Sequence, residues 1–172
     1  MEIHYHLTED DYLNFNLFHV KNSKTAIRSL NIQRYLLPII FIIAAYLASK
    51  YGNMPFLTAF IIYFIVAVLW IIFYPRYFYR HIGRMTRRMM KEGKNDGMLG
   101  DHVMKLTEEG IVDSSANGET KVNWAGIIEM KEDDDNIYLY NSGVSAYILP
   151  KRELVDVAEV RSFLLEKVKS SG

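Results

Sequence analysis

Residues 35–74 read YLLPIIFIIAAYLASKYGNMPFLTAFIIYFIVAVLWIIFY, two apolar runs joined by the short segment 50–55. The second run, 56–74, carries no charge, and as a helix it would span about 28 Å, close to the hydrocarbon thickness of a bilayer. Thirteen of its residues are Leu, Ile, Phe or Val. On the insertion scale they contribute roughly −4 to −8 kcal/mol. The stretch predicts a transmembrane helical hairpin. A buried core helix is the alternative, but a chain of 172 residues has little protein to surround it.

The first run, 35–49, is shorter than a usual span and has Pro38 near its start. Proline is tolerated in a first helical turn, where its missing N–H would be unpaired anyway. Arg34 and Lys50 flank the run and can extend their charged ends to opposite interfaces. We therefore predict a second full span, with a re-entrant or interfacial segment as the alternative.

The distribution of basic residues predicts the orientation of the hairpin. Lys24, Arg28 and Arg34 precede it, a larger basic cluster follows it, and the connecting loop has Lys50. Cytoplasmic flanks carry the excess of Lys and Arg, so both termini are expected in the cytoplasm of a multi-pass cell-membrane protein.

Charge is strongly segregated along a chain whose formal net charge is zero. Residues 76–94 have a net charge of +6 and residues 95–172 a net charge of −7. An acidic C-terminal domain argues against nucleic-acid binding, which needs a basic surface. The chain has no cysteine, which excludes disulfides, thiolate metal sites and cysteine nucleophiles. The first thirty residues are too polar for a signal peptide, so the hairpin is expected to direct insertion.

The segment 75–94 is predicted as a basic juxtamembrane helix. Its arginines recur every four residues, so the basic side chains occupy an arc of about 120°. Three interpretations stay open: topological anchoring with the apolar face packed on the soluble domain, binding of anionic lipid headgroups, or docking on the acidic domain. At a membrane surface each basic side chain contributes about 1 kcal/mol. The candidate anionic-lipid contacts are Arg76, Arg80, Arg84, Arg87, Arg88 and Lys91.

Residues 1–8 alternate in polarity, which predicts a half-buried strand. Its polar face carries His4 and His6, but a third metal ligand is not evident, and we interpret them as an exposed strand face. Residues 9–34 are predicted as an amphipathic helical segment, because Thr8 and Asp11 have the spacing of a helix start. This segment either lies at the membrane surface or packs on the soluble domain.

Residues 95–172 are predicted as a strand-rich cytoplasmic domain. Turn signals, among them Asn117-Gly118, separate short strand-like stretches. Residues 157–169 have apolar side chains at helical spacing and predict a closing helix. The six stretches are 103–106, 111–114, 120–124, 127–131, 137–140 and 144–149.

The chain shows no arrangement of residues typical of catalysis. His102, Ser142 and the pair Ser114-Ser115 have no partner at a recognisable spacing. The acidic run 132–135 lacks the ligand spacing of a calcium loop and is interpreted as a solvated hairpin tip. The spans carry no ionisable residue, which a transporter would normally place there. We therefore expect no enzymatic activity, no catalytic or metal-binding residues, no cofactor and no small-molecule substrate.

Three stretches together carry a family resemblance: Trp124–Glu129, Ile137–Tyr140 and Tyr147–Arg152, the last containing Ile-Leu-Pro-Lys-Arg. With two spans before them and a final helix after them, they resemble the bacterial YcxB-like family. The resemblance implies a pleckstrin-homology-like (PH-like) soluble domain. It does not imply phosphoinositide binding, because the first hairpins are acidic.

A PH-like barrel needs about seven strands, and six follow the hairpin, so we expect the strand in residues 1–8 to complete the domain. The fold class predicted is thus an integral membrane α+β protein. It combines a two-helix transmembrane hairpin with a small antiparallel PH-like β-barrel or sheet closed by a C-terminal helix. The family implies no assigned activity. We expect a membrane-anchored binding or regulatory module that docks a protein partner or a second copy of itself. The alternative is sensing of anionic lipid by the basic helix.

Overall fold

The computed structural model describes residues 1–92 and 98–170. The chain forms two units, one of Met1–His19 with Thr86–Gly172 and the other of Val20–Met85. The second unit is thus inserted in the sequence of the first. The elements are β1 (Glu2–Leu7), α1 (Glu9–Asn22), α2 (Lys24–Tyr51), α3 (Phe56–Glu92), β2 (Gly100–Leu106), β3 (Gly110–Ser115), β4 (Gly118–Asn123), β5 (Glu129–Glu132), β6 (Asn136–Tyr140), β7 (Ala146–Pro150) and α4 (Val157–Ser170).

Helix α2 is much longer than the apolar run that predicts it. It begins at Lys24, where the Ser23 hydroxyl accepts a hydrogen bond from the Ala26 amide at 3.3 Å. The expectation that Pro38 lies in a first turn is wrong, because the polar residues upstream are already helical and Pro38 sits inside the helix. At 28 residues the helix is about 42 Å long, and its added N-terminal part is the polar segment before the apolar run.

Helix α3 joins the second apolar run and the basic segment in one helix of 37 residues. Pro75, which the sequence places at the boundary between them, lies within that helix. Proline has no N–H, so the carbonyl of Ile71 four residues earlier loses its helical donor. The side chain of Arg34 supplies one from α2, with Nε 2.9 Å from the Ile71 oxygen. The predicted end of the basic segment at residue 94 lies outside the described residues.

The two helices of the second unit expose most of their apolar side chains. Ala45 and Ala59 are fully buried. By contrast Ile43, Leu57 and Phe64 are more than half exposed. Both helices are long and apolar enough to cross a membrane by length and composition.

The strands form two antiparallel sheets. One has the order β1-β2-β3-β4 and the other β5-β6-β7. Strand β1 pairs with β2 along its whole length, with Tyr5 opposite His102, so the N-terminal strand is part of the C-terminal sheet. Among the described residues neither sheet closes on itself, so the predicted barrel is in fact two open sheets. The turn before Gly118 leaves that glycine with φ +150°, a conformation that other residues rarely adopt.

Helices α1 and α4 belong to the core of the first unit. The ring centroid of Phe18 in α1 lies 4.8 Å from that of Tyr138 on β6, and Phe15 contacts Tyr138 at 5.5 Å. Of the segment predicted as residues 9–34, α1 thus packs its aromatic residues on the sheet, whereas residues 24–34 form the first part of α2. Val160 and Leu164 of α4 are buried in the apolar core cluster that also contains Phe15 and Tyr138.

Candidate functional site

The six basic residues singled out as lipid contacts lie on α3, and all of them are exposed. Within the described part of the chain, Arg87 forms the one ion pair of this set, with Nη2 3.4 Å from Asp10 Oδ1. Both side chains of that pair are more than half exposed, so it contributes little to stability. The basic side chains of α3 therefore remain accessible to an anionic surface.

Arg152, the last residue of the Pro-Lys-Arg motif, forms an ion pair with Asp11. Arg152 Nη1 and Nη2 donate to the two carboxylate oxygens of Asp11 at 2.6 and 2.7 Å. Nη2 also donates to the backbone oxygen of His6 at 3.0 Å. The Asp11 side chain is 4% exposed, whereas that of Arg152 is 45% exposed. The motif thus connects the turn after β7 to the first turn of α1.

Asp11 also caps the helix that contains it. Its Oδ2 accepts hydrogen bonds from the Thr8 hydroxyl at 2.6 Å and from the Thr8 amide at 2.9 Å. Burial alone would raise the pKa of Asp11, but the hydrogen bonds from Arg152 and Thr8 outweigh it, and the pKa is lowered. The hydrogen bonds that Arg152 donates to Asp11 raise the pKa of Arg152. Both groups are therefore charged at neutral pH. Asp11, which the sequence predicts as part of a helix start, thus also forms the tertiary ion pair with Arg152.

Lys151 connects the same turn to the β5–β6 hairpin. Its Nζ donates to the backbone oxygen of Asp133 at 2.5 Å and lies 3.0 Å from Glu132 Oε2. Arg161 of α4 approaches the other oxygen of Glu132 at 2.7 Å. Burial opposes ionisation of Glu132, but these two cations lower its pKa overall. The acidic hairpin tip therefore serves as an anchor for the motif and for α4.

A cavity of about 580 Å³ lies beside this network. Its lining includes Asn14 and Asp134 together with both basic residues of the motif. Because Lys151 and Arg152 already bond to carboxylate or carbonyl oxygens, neither is available as a receptor for an anion. The geometry supports a structural role for the cavity walls.

Tyr5, His102 and Asp113 form a buried polar triad across the three neighbouring strands β1, β2 and β3. This triad was not predicted from the sequence. Tyr5 Oη donates to Asp113 Oδ1 at 3.0 Å, and His102 Nδ1 lies 3.0 Å from Asp113 Oδ2. The rings of Tyr5 and His102 stack with centroids 5.1 Å apart. Burial and the neighbouring Asp113 raise the pKa of Tyr5.

The sequence-based statement that His102 has no partner is wrong, because sequence spacing misses contacts across a sheet. Met104 lies opposite Asp113 in the β2–β3 ladder, which places His102 on the diagonal. The position of the turn at Glu108-Glu109 between the two strands could have predicted this β2–β3 register. The His102 side chain is 6% exposed, and its Nε2 is buried without a hydrogen-bond partner among the described residues. The triad thus lies inside the sheet, and its visible contacts are those among Tyr5, His102 and Asp113.

Metal ligation finds no support in the described residues, which contain no group of three or more His, Asp or Glu side chains arranged to hold an ion. His4 and His6 lie on the exposed face of β1 with side chains 72% and 57% exposed. Each pairs with a carboxylate: His4 with Glu2 at 3.1 Å and His6 with Asp101 at 2.7 Å.

Comparison with known proteins identifies the strand-rich part of the chain. The family model described as YcxB-like protein matches residues 106–165. Residues 106–165 are therefore similar to the YcxB-like family. The resemblance read from the Ile-Leu-Pro-Lys-Arg stretch is confirmed there. No curated protein and no solved structure matches the chain.

The YcxB-like segment runs from the end of β2 into α4 and contains Arg152. It does not contain β1, α1 or the two long helices. Asp11, the partner of Arg152, therefore lies outside the matched segment. In this chain the YcxB-like segment is completed by elements that precede the hairpin.

Proposed function

We propose that this chain is an integral membrane protein that holds its YcxB-like unit at the cytoplasmic face, where the unit acts as a binding module rather than an enzyme. The observation that carries the proposal is the apolar surface of α2 and α3. Side chains such as Ile39, Ile43, Leu57 and Phe73 are more than half exposed on helices that are long enough to span a bilayer. In water this surface would be unfavourable, whereas in lipid it is satisfied.

The orientation of the proposed protein rests on the basic residues at both ends of the hairpin. Lys24 and Arg28 precede the apolar part of α2, and the arginines of α3 follow the apolar part of α3. Lys50 lies beside the connecting loop. By the positive-inside rule the loop faces away from the cytoplasm. Because the first unit contains chain from before and after the hairpin, both ends of the hairpin return to the same cytoplasmic unit.

A topology measurement tests membrane integration and orientation together. The chain has no native cysteine, so a single introduced thiol reports one position without background. Met54→Cys lies in the connecting loop, and Val144→Cys lies in the exposed β6–β7 turn. A membrane-impermeant maleimide added to intact cells is expected to label position 54 and to label position 144 only after permeabilisation. Labelling of both positions in intact cells, or release of the protein from membranes by alkaline carbonate, would refute the proposal.

The PH-like character of the unit is part of the same proposal. Seven strands in two antiparallel sheets, followed by one C-terminal helix, have the order of parts expected of such a domain. An experimental structure of the full chain should superpose on a PH domain through all seven strands and α4. A superposition that fails for β1 or for α4 would contradict it.

A second candidate function is recognition of anionic lipid by α3. The observation that favours it is the exposure of all six basic side chains along one helix. With the full chain in bilayers that contain brominated lipids, quenching of Trp70 should be stronger for brominated anionic than for brominated zwitterionic lipid. The triple variant Arg80→Gln, Arg84→Gln and Arg88→Gln should lose that preference, since each basic group contributes about 1 kcal/mol.

A matched control separates local binding from net charge. Lys105→Gln, Lys121→Gln and Lys169→Gln remove the same charge from exposed positions of the first unit. This triple variant should keep the lipid preference. If both triple variants lose it equally, or if neither does, the lipid hypothesis fails.

A further inference from the structure

The outer edge of strand β1 leaves backbone groups without partners in a short stretch. Met1 donates to the Leu106 oxygen at 2.9 Å and accepts from the Leu106 amide at 2.8 Å, so these residues form a hydrogen-bonded pair of the antiparallel ladder. Such pairs alternate along a strand. The backbone groups of Glu2, His4 and His6 therefore point away from β2.

Arg152 covers one end of this edge by donating to the His6 oxygen at 3.0 Å. Among the described residues, the backbone N–H and C=O groups of Glu2 and His4 have no hydrogen-bond partner. An edge with unpaired backbone groups is a template for another strand. The open stretch is short, which limits what it can receive to a few residues of extended chain.

A groove of about 350 Å³ runs along that open stretch. One wall is β1 from Met1 to His4, and the other is the chain that leaves Arg152 and enters α4. Leu154, Val155 and Val160 make the second wall apolar, and Val155 is fully exposed. The volume lies at the lower end of the roughly 300–1,000 Å³ typical of binding pockets.

The charge of the groove is acidic. Its lining contains four carboxylates and no Lys or Arg. Two of these are paired outside the groove, Glu2 with Lys105 at 3.4 Å and Glu153 with Arg152 at 3.2 Å, and Asp156 caps α4. Glu159 forms no ion pair within the described residues, which leaves it available to a cation.

We propose that this groove binds an extended segment of a partner protein in which basic and apolar residues alternate, added as a strand to the outer edge of β1. The segment's backbone bonds to Glu2 and His4, its apolar side chains contact Leu154 and Val155, and a basic side chain pairs with Glu159. Strand addition of this kind derives affinity from main-chain bonds and specificity from alternate side chains. The inference rests on the proposed function, since it names the kind of partner that the displayed unit would bind.

Charge also decides against a second copy of the chain as the occupant. Two copies paired through β1 would bring two acidic groove walls together, and like charges in close apposition weaken association. A basic partner instead gains from the same carboxylates. We therefore assign the groove to a different protein.

A synthetic peptide tests the assignment with the full chain in detergent micelles. The probe is the acetylated, amidated hexapeptide Lys-Val-Lys-Val-Lys-Val, and its binding is measured by fluorescence anisotropy and by the amide shifts of Glu2 and His4. A peptide of the same sequence that is N-methylated on alternate residues loses the backbone donors of one edge. The parent and the peptide methylated on the opposite edge should bind, and the one methylated on the pairing edge should bind at least tenfold more weakly. Equal binding by all three would overturn strand addition.

Variants of the protein locate the site. Glu159→Lys should weaken binding of the hexapeptide about tenfold, because an attraction becomes a repulsion. Glu166→Lys is the matched control, since it lies seven residues further along α4, is exposed and lies outside the groove. His4→Pro removes an outward-pointing N–H while leaving the β1–β2 ladder intact, and should also weaken binding. If Glu166→Lys has the same effect as Glu159→Lys, or if β1 cross-links to β1 of a second copy, the assignment is refuted.

A negative result in the peptide-binding test and a negative result in the topology test refute different proposals. Labelling of the thiol at position 144 in intact cells would refute the cytoplasmic display but would leave peptide binding measurable. Loss of peptide selectivity with the expected labelling pattern would refute the groove assignment alone.

Discussion

Arg34 in α2 donates from its Nε to the backbone oxygen of Ile71 in α3, at 2.9 Å. Ile71 is the residue whose carbonyl would bond to the amide of residue 75 in an unbroken helix, and residue 75 is proline. A charged side chain of one helix thus replaces the backbone donor that the other helix lacks. Gln33 adds two contacts at the same level, to the Trp70 indole at 3.3 Å and to the Tyr74 hydroxyl at 2.5 Å.

A double-mutant cycle between Arg34 and Pro75 should show that their effects are coupled. Arg34→Met is expected to destabilise the helix pair by about 1 kcal/mol, as polar contacts between membrane helices do. In the Pro75→Ala background the Ile71 carbonyl regains a helical donor, so the same substitution should cost less. The measurement is SDS-induced unfolding of the full chain. Arg28→Met is the control because Arg28 is exposed on the same helix; an equal cost of Arg34→Met in both backgrounds would contradict the coupling.

The ion pair between Arg152 and Asp11 predicts a graded loss of stability. Arg152→Met leaves a nearly buried carboxylate without its cation and should lower the free energy of unfolding by about 2 kcal/mol. This is less than for a fully buried pair, since Arg152 is itself half exposed. Arg152→Lys keeps the charge but loses the two parallel bonds, so its cost should be smaller. Thermal unfolding of the purified full chain measures both. Lys169→Met, an exposed charge removal on α4, should have little effect.

The lowered pKa of Asp11 predicts how stability depends on pH. A carboxyl with a lower pKa in the folded than in the unfolded state stabilises the fold above the unfolded value. That contribution disappears as the pH falls below about 4 toward the folded value. The free energy of unfolding should therefore drop between pH 5 and pH 2, and the drop should be shallower in Asp11→Asn. Asp10→Asn removes an exposed carboxylate of the same helix and should keep the slope of the parent.

The triad of Tyr5, His102 and Asp113 predicts a large effect of removing one hydroxyl. Tyr5→Phe deletes a buried hydrogen bond to a carboxylate and should lower the free energy of unfolding by about 1.5–3 kcal/mol. Tyr147→Phe is the matched control, because its hydroxyl bonds to Thr120 at an exposed position. Denaturant unfolding of the full chain compares them. Equal, small effects of both substitutions would show that the triad does not stabilise the sheet.

The assignment of β1 to the C-terminal sheet predicts which fragments fold. Residues 86–172 alone should not fold, because β2 would lose its neighbour and Tyr138 would lose its aromatic cover from α1. A chain in which a Gly/Ser linker replaces residues 20–85 keeps the whole first unit and should give a dispersed ¹H–¹⁵N spectrum. A folded, equally stable 86–172 fragment would show that the N-terminal strand is dispensable.

Much of the local structure follows from the sequence because its causes are local. Alternation in residues 1–8, the turn signal at Asn117-Gly118 and the acidic turn at 133–135 correspond to β1, the β3–β4 turn and the β5–β6 turn. Six strand-like stretches after the hairpin correspond to β2 through β7. The expectation for Pro38 was wrong, since the helix starts well before it and the proline lies in the helix interior instead of the first turn.

The apolar hairpin, the basic helix, the strands and the family resemblance can all be predicted without a structure, because periodicity, composition and short motifs are properties of neighbouring residues. Which distant groups meet depends on the folded arrangement. Asp11 and Arg152 are separated by 141 positions and Tyr5 and Asp113 by 108. Those contacts depend on strand register and on the return of the N-terminal strand to β2. The strand count predicted the return of residues 1–8 to the sheet, but not the β1–β2 register that places Tyr5 opposite His102 and leaves the outer edge of β1 open.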